Sequence, residues 1–262
     1  MKLSRISVVL CVMAVCAAYV SPAWATKYVA LGDSYSSGTG TRTYYDSGCQ
    51  RSVYAYPYLL HNAHPSWTFV QAACSGAKTG DVINTQSVSL TSDTNWVSYT
   101  IGGNDAGFSS VITECAQPSW SSNCNGAIDQ AQAYINNTLP ASVRTLYASI
   151  RSRAASAKVV VVGYPRIFNG EDCNAATWFS PAEETRLNAT ADLINSKTAA
   201  QASAKGFSFA NPTSRFVGHA VCDDPEWLNG LSNPISESYH PNKAGHSSGY
   251  TPVVSPLLTG AP

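Results

Sequence analysis

Four short blocks of this chain carry groups that can move an acyl group: Gly32-Asp33-Ser34-Tyr35, Cys74-Ser75-Gly76-Ala77, Gly102-Gly103-Asn104-Asp105 and Tyr239-His240-Pro241. Acyl transfer needs a nucleophile, a base to take its proton, and donors for the oxyanion of the tetrahedral intermediate. Ser34 offers the hydroxyl. His240 offers an imidazole, the side chain whose ordinary pKa lies nearest neutrality. The Gly76 N–H and the Asn104 amide can donate to an oxyanion, and the Ser34 N–H makes a third donor. Each such donor typically lowers the barrier by about 3 kcal/mol. A lone Gly-Asp-Ser reads as well as a helix cap, because Asp and Ser favour N-caps and turns. The elements around the four blocks decide between these readings.

Tyr28 to Leu31 is a short apolar run that stops at Gly32, the grammar of a buried strand opening into a loop. Thr68 to Ala73 repeats it and ends at the Cys74 block, and Trp96 to Ile101 ends at the Gly102 block. Val159 to Val162 is an unbroken β-branched run, as expected of a strand covered on both faces. Phe207 to Ala210 is a fifth candidate strand. Helical spacing runs from Gly126 to Ala155, with Pro140 set to kink or split it. Ser180-Pro181-Ala182-Glu183 is a helix start with Ser as N-cap, Pro first and Glu third, and Gly206 stops that helix after Lys205. A short helix is expected within Val53 to His61 and another after His240-Pro241, with long polar loops over 38–51 and 211–239. Strands alternating with helices predict a three-layer α/β domain with a mainly parallel sheet. In such sheets ligands sit at the carboxyl ends of the strands, where the first three blocks fall.

The chain opens Met1-Lys2-Leu3-Ser4-Arg5, continues with an apolar run to about Val20, and reaches Ala23-Trp24-Ala25. That order predicts a signal peptide over residues 1–25, with cleavage after Ala25 and a secreted, extracellular product. The remaining 26–262 suits a single domain. Without Lys2 and Arg5, 14 basic residues face 16 acidic ones, so there is no basic footprint for nucleic acid. No later stretch is long and apolar enough to insert stably into a bilayer, and nothing in the sequence asks for an oligomer, so a monomer is expected. Outside the leader there are six cysteines, Cys49, Cys74, Cys115, Cys124, Cys173 and Cys222. An even number in an exported chain argues for disulfides, and joining sequence neighbours is the simplest of many pairings.

In these four blocks, in this order from residue 32 to 241, the chain resembles the SGNH (GDSL-type) hydrolase family, in particular its secreted lipase and esterase branch known from actinomycetes. The resemblance implies a flavodoxin-like α/β/α fold with a five-stranded parallel sheet. It implies Ser34 as nucleophile, His240 as base, and Ser34, Gly76 and Asn104 as the oxyanion hole. It also implies no metal or other cofactor, and the neighbour pairing of disulfides suits that branch. Many members carry Asp three residues before the histidine, whereas this chain has Glu237 there. Two groups are therefore candidates to orient His240: the Glu237 carboxylate and the Ser238 main-chain carbonyl. The activity implied is carboxylic-ester hydrolysis on lipid or short- to medium-chain esters. Deacetylation of a plant-wall polysaccharide is the alternative, and a non-catalytic binding protein on the same fold is a remote third.

Other motifs read more plainly as structure. Gly245-His246-Ser247-Ser248-Gly249 fits a nucleophile elbow, yet no acid or histidine follows it. His61 and His64 have a helical spacing that suits a metal, but no acid or cysteine neighbours them. Asp33 and Asp105 are expected to hold loops. Tyr35, Tyr44, Tyr45 and Phe108 are candidates to line an acyl pocket.

Overall fold

The computed structural model describes residues 26–260. The signal-peptide expectation lies outside the described residues. Five strands, β1 (Lys27–Ala30), β2 (Thr68–Gln71), β3 (Thr94–Tyr99), β4 (Lys158–Val162) and β5 (Ser208–Ala210), form one sheet in the order β2-β1-β3-β4-β5. Every pairing is parallel. The order reverses direction beside β1, which is where a ligand crevice is expected in a doubly wound sheet.

Alternation along the strands builds two cores. Tyr28, Ala30, Val160 and Val162 face one side, packed against α2 (Tyr56–Ala63) and α8 (Thr251–Thr259). Val29, Leu31, Val97, Tyr99, Val159 and Val161 face the other, under α6 (Leu139–Arg153) and α7 (Pro181–Lys205). The period of two explains why β1 and β4 read as continuous apolar runs: both faces are buried. The helical stretch around Pro140 is split. One helix, α5, spans Cys124–Asn137, and α6 begins at Leu139 with Pro140 in its first turn, where a missing N–H costs no hydrogen bond.

The α7 helix starts as its sequence predicts. The Ser180 hydroxyl accepts from the Glu183 N–H, and the Glu183 carboxylate accepts from the Ser180 N–H. Gly206 closes it in the left-handed region. At 25 residues the helix is about 37 Å long, more than the sheet can cover. Asn195, past its midpoint, bonds both the N–H and the carbonyl of Tyr164 just beyond β4. The residues before Asn195 therefore stand beyond the carboxyl ends of the strands, beside α5, to which Arg186 is bonded through Asp129 and Asn125.

A helix that the long-range periodicity did not isolate, α4 (Phe108–Cys115), completes this projecting layer. Disulfides join Cys49–Cys74, Cys115–Cys124 and Cys173–Cys222. The second pins α4 to α5, and the first ties the loop after β1 to the loop after β2. Short helical turns over 79–89, the first of them α3 (Thr79–Asp81), also lie outside the sequence expectation.

Gly32 is a tight point of the β1–β3 corner. Its φ is +115°, and a Cβ there would lie 2.4 Å from the Thr100 carbonyl oxygen. Gly32→Ala is expected to destabilise the protein by about 3 kcal/mol, read as a lowered midpoint in urea denaturation. An unchanged midpoint would show that the β1–β3 corner relaxes freely.

Candidate active site

The first strand keeps its bond to β3 after it ends. Leu31 N–H donates to the Ser98 carbonyl and Asp33 N–H to that of Thr100, each near 3.0 Å. Between them Gly32 takes the left-handed turn, and the buried Gln86 amide closes on both its N–H and its carbonyl, at 2.7 and 2.9 Å. The chain then enters α1 (Ser34–Ser37), one turn capped by Asp33, whose carboxylate accepts the Tyr35 N–H at 3.0 Å. Asp33 also accepts from the Thr100 hydroxyl at 2.6 Å and from the Tyr164 hydroxyl at 2.5 Å. Burial raises its pKa to about 6, against the pull of these three hydrogen bonds. Asp33 thus fastens the loops after β1, β3 and β4 beneath Ser34, with side-chain donors supplying most of its bonds.

His240 lies 206 residues away in sequence. Its Nε2 is 2.8 Å from the Ser34 Oγ, and its Nδ1 is 2.8 Å from the Ser238 carbonyl. A carbonyl can only accept, so Nδ1 carries the proton, and Nε2 is left to accept from the Ser34 hydroxyl. Tyr35 supports this arrangement twice. Its hydroxyl donates to the Tyr239 carbonyl at 2.6 Å, and its ring packs 5.1 Å from the imidazole. Burial lowers the His240 pKa from 6.5 to about 4, with the Ser238 carbonyl pulling the other way.

Of the two groups expected to orient the imidazole, the Ser238 carbonyl is the one against it. Glu237 turns away. Its carboxylate accepts from the Tyr44 hydroxyl at 2.7 Å and faces Arg42 Nε at 3.5 Å. The backbone is the reason. Ile235–Glu237 is one turn of 3-10 helix, and Tyr239 follows in the left-handed region at φ 61°. That reversal brings the Ser238 carbonyl back beside its own histidine and leaves the Glu237 side chain under the 38–45 loop.

Gly76 and Asn104 come to one corner because their loops are bonded together. Asn104 Nδ2 donates to the Ala77 carbonyl at 3.1 Å, and Asp105 accepts from both the N–H and the hydroxyl of Thr79. Asp105 holds the loop that carries the amide. Among the described residues, no protein group accepts from the Ser34 or Gly76 N–H. Gly76 sits at φ +83° with open space where a Cβ would be.

From Ser34 a slot runs inward beneath the projecting helices. Its mouth is Ser34, Tyr35 and Asn104, and its walls are Phe108 and Val111 of α4, Ala131 and Ile135 of α5, and Leu187 and Ala191 of α7. The lining is overwhelmingly apolar, and the cavity volume of about 70 Å³ makes it narrow. Tyr35 and Phe108 line the slot as expected, but Tyr44 and Tyr45 do not. The helix residues were missed. Alanines at 131 and 191 carry no chemical signal in sequence, and their meaning lies in what they leave empty.

The remaining motifs have structural settings. Ser247 is exposed in a π-helical turn spanning Gly245–Tyr250 and bonds only to its own segment. His246 is fully buried, accepts from the Tyr56 N–H and lies against the rings of Tyr56 and Tyr250. His61 stacks on Phe69, and His64 on Trp67.

Comparison with known proteins adds to this geometry. The sequence pattern of the GDSL-like lipase/acylhydrolase family matches residues 30–247. "Lipase 1" of Streptomyces coelicolor is 45% identical over 238 residues, covering 89% of this chain and 87% of that protein. The solved extracellular lipase of Streptomyces rimosus superposes with a TM-score of 0.83 at 44% identity, covering 89% of this chain and all of that one. A phospholipase A1 from Streptomyces albidoflavus NA297 gives the same TM-score at 42% identity, covering 88% of this chain and 98% of that one. A serine hydroxyl held against an imidazole at the strand ends of a five-stranded parallel sheet, in a chain so matched, makes this protein an ester hydrolase and a member of the GDSL-like lipase/acylhydrolase family.

Proposed function

We propose that Ser34 and His240 are a catalytic dyad that cleaves carboxylic esters of lipid acyl chains. The observation that carries this reading is the 2.8 Å contact of Ser34 Oγ with His240 Nε2 at the mouth of an apolar slot. Ser34 Oγ attacks the ester carbonyl as Nε2 takes its proton. The oxyanion is met by the Ser34 and Gly76 N–H groups and the Asn104 amide. His240 returns the proton to the alkoxide leaving group as the C–O bond breaks, which leaves an acyl-Ser34 ester. Water, deprotonated by the same Nε2, releases the acid and restores the hydroxyl. Throughout, Nδ1–H donates to the Ser238 carbonyl, which fixes the tautomer as a carboxylate does in a triad, without its charge. No metal or cofactor enters the cycle.

The slot supports the substrate class. An acyl chain buried in it leaves water at about 0.8 kcal/mol per methylene, whereas an acetyl group on a polysaccharide uses only its mouth. Relatives named lipase and phospholipase A1 agree with this choice. The same reading takes residues 26–262 as one domain, secreted after cleavage at Ala25 and working as a monomer. The leader-like sequence and three disulfides support export. Among the described residues no helix is long and apolar enough to cross a membrane.

Three measurements test the proposal. Ser34→Ala should lower kcat on p-nitrophenyl octanoate by at least about 10⁴-fold, and full activity in that variant would sink the assignment. The acid limb of kcat/KM should lie near the His240 value of about 4, because the base works only when neutral and its lowered pKa keeps it neutral at mildly acid pH. A limb at the ordinary imidazole value of 6.5 would mean that the ring is solvated or paired with a carboxylate. Ala191→Leu should remove activity on octanoate and palmitate while sparing acetate. Equal loss on all three would place the acyl chain elsewhere, and acetate-only activity in the unaltered protein would favour the polysaccharide deacetylase.

A further inference from the structure

Glu237 is 2% exposed, its carboxylate does not touch His240, and its Oε2 accepts no hydrogen bond. A carboxylate in such a place is costly unless its partners hold it. Its partners are Tyr44, through Oε1 at 2.7 Å, and the guanidinium of Arg42, which is largely exposed. The Tyr44 hydroxyl in turn accepts the Gly40 N–H at 3.1 Å. On the other side of the same glycine, the Gly40 carbonyl accepts from Asn229 Nδ2 at 2.9 Å, and that nitrogen also donates to the Glu237 main-chain carbonyl at 3.3 Å. Asn229 then grips the base's own segment through its backbone. Its N–H donates to the His240 carbonyl and its carbonyl accepts from the Tyr239 N–H, both at 2.9 Å.

Gly40 is a second place where the two halves of the site meet, beside the Tyr35–Tyr239 bond. It sits at φ +94°, and a Cβ on it would come within 2.9 Å of both His240 Cβ and Asn229 Nδ2 and 2.7 Å of the Pro241 carbonyl. It also belongs to the nucleophile's own turn. The N–H groups of Gly38 and Thr39, the two residues before it, both donate to the Ser34 carbonyl, at 3.1 and 3.2 Å. A continuous path therefore runs from Ser34 through Thr39 to Gly40, and across two bridges to His240.

The geometry points to Asn229, Tyr44 and Glu237 as positioning residues that hold His240 on Ser34, and to Glu237 as a group that acts through Tyr44 and the Gly40 peptide rather than on the imidazole. This inference rests on the dyad reading above. A carboxylate that orients the histidine directly also stabilises its positive form. A carboxylate that only braces a loop does not, and any acceptor of the same shape can replace it. A site loosened by a fraction of an ångström still binds its substrate but attacks less often, so the loss falls on kcat.

The test is steady-state kinetics on p-nitrophenyl octanoate beside the rate of irreversible labelling by an alkyl fluorophosphonate, for Tyr44→Phe, Glu237→Ala, Glu237→Gln, Asn229→Ala and Ser34→Ala. Near-ultraviolet circular dichroism and full labelling stoichiometry identify variants that remain folded. Tyr44→Phe, Glu237→Ala and Asn229→Ala should each lower kcat and the labelling rate by roughly 10- to 100-fold, with KM little changed and the acid limb of the pH profile unmoved. Glu237→Gln, which keeps an acceptor for Tyr44, should recover most of the loss seen in Glu237→Ala. The double variant Tyr44→Phe/Glu237→Ala should fall no further than the worse single one, because both cut the same bridge. Unaltered kcat in folded Glu237→Ala and Asn229→Ala overturns the inference. So does a Glu237→Gln variant as slow as Glu237→Ala with its acid limb shifted, which would put the carboxylate on the imidazole. If Ser34→Ala stays active and still labels, the dyad reading itself fails, an outcome distinct from either of these.

Discussion

The contact between Ser34 and His240 joins two loops that share no strand and no helix. A hydrogen bond between neutral groups contributes only about 1 kcal/mol net, too little to hold those loops in register by itself. The fold must therefore bring them together by other means, and much of the polar interior is devoted to doing so. Asp33 gathers the loops after β1, β3 and β4. Gln86 closes on the Gly32 peptide, and Tyr35 bonds the carbonyl just before His240. Each group is buried, and each is satisfied mainly by a partner from a distant part of the chain, which makes the corner rigid as well as specific.

A carbonyl rather than a carboxylate behind His240 changes the electrostatics of the site. The Ser238 oxygen fixes which nitrogen carries the proton but brings no full charge. Burial then lowers the imidazole pKa to about 4, with only the Ser238 carbonyl pulling the other way. In the proposed mechanism, what is given up is part of the stabilisation of imidazolium in the transition state. In that mechanism three donors meet the oxyanion, and electrostatic stabilisation rests on them.

The strands were legible in sequence because β-branched and aromatic runs stopped at glycine or a small-residue block, as at Leu31-Gly32 and Ile101-Gly102. The start of α7 was legible because Ser180, Pro181 and Glu183 each satisfy a separate need of a helix terminus. The five-stranded parallel sheet follows from the same alternation. Ser34, Gly76, Asn104 and His240 stand out because four small blocks in one order resemble those of a known family, and the structure brings Ser34 and His240 into contact. The slot and the brace were not legible. Ala131 and Ala191 line the slot with little volume, and Asn229 bonds through its backbone as well as its side chain. α4 does have apolar residues at 108, 111, 112 and 115, but a single spaced quartet after a glycine loop is easily taken for loop residues packing inward. Between Glu237 and the Ser238 carbonyl the sequence left the choice open, because it depends on Tyr239 taking a positive φ.

The length of α7 separates two duties that are fused in many enzymes. Its second half lies over the sheet and is part of the core, while its first half and α5 enclose the slot beyond the strand ends. The slot-facing side chains on that outer half, Leu187 and Ala191, are apolar and take no part in the hydrogen bonds that hold Ser34 and His240. On the proposed reading, selection among acyl groups is thus free to drift by single substitutions there while the Ser34–His240 corner stays as it is. A lineage built on this plan can diversify in diet without having to reinvent its chemistry.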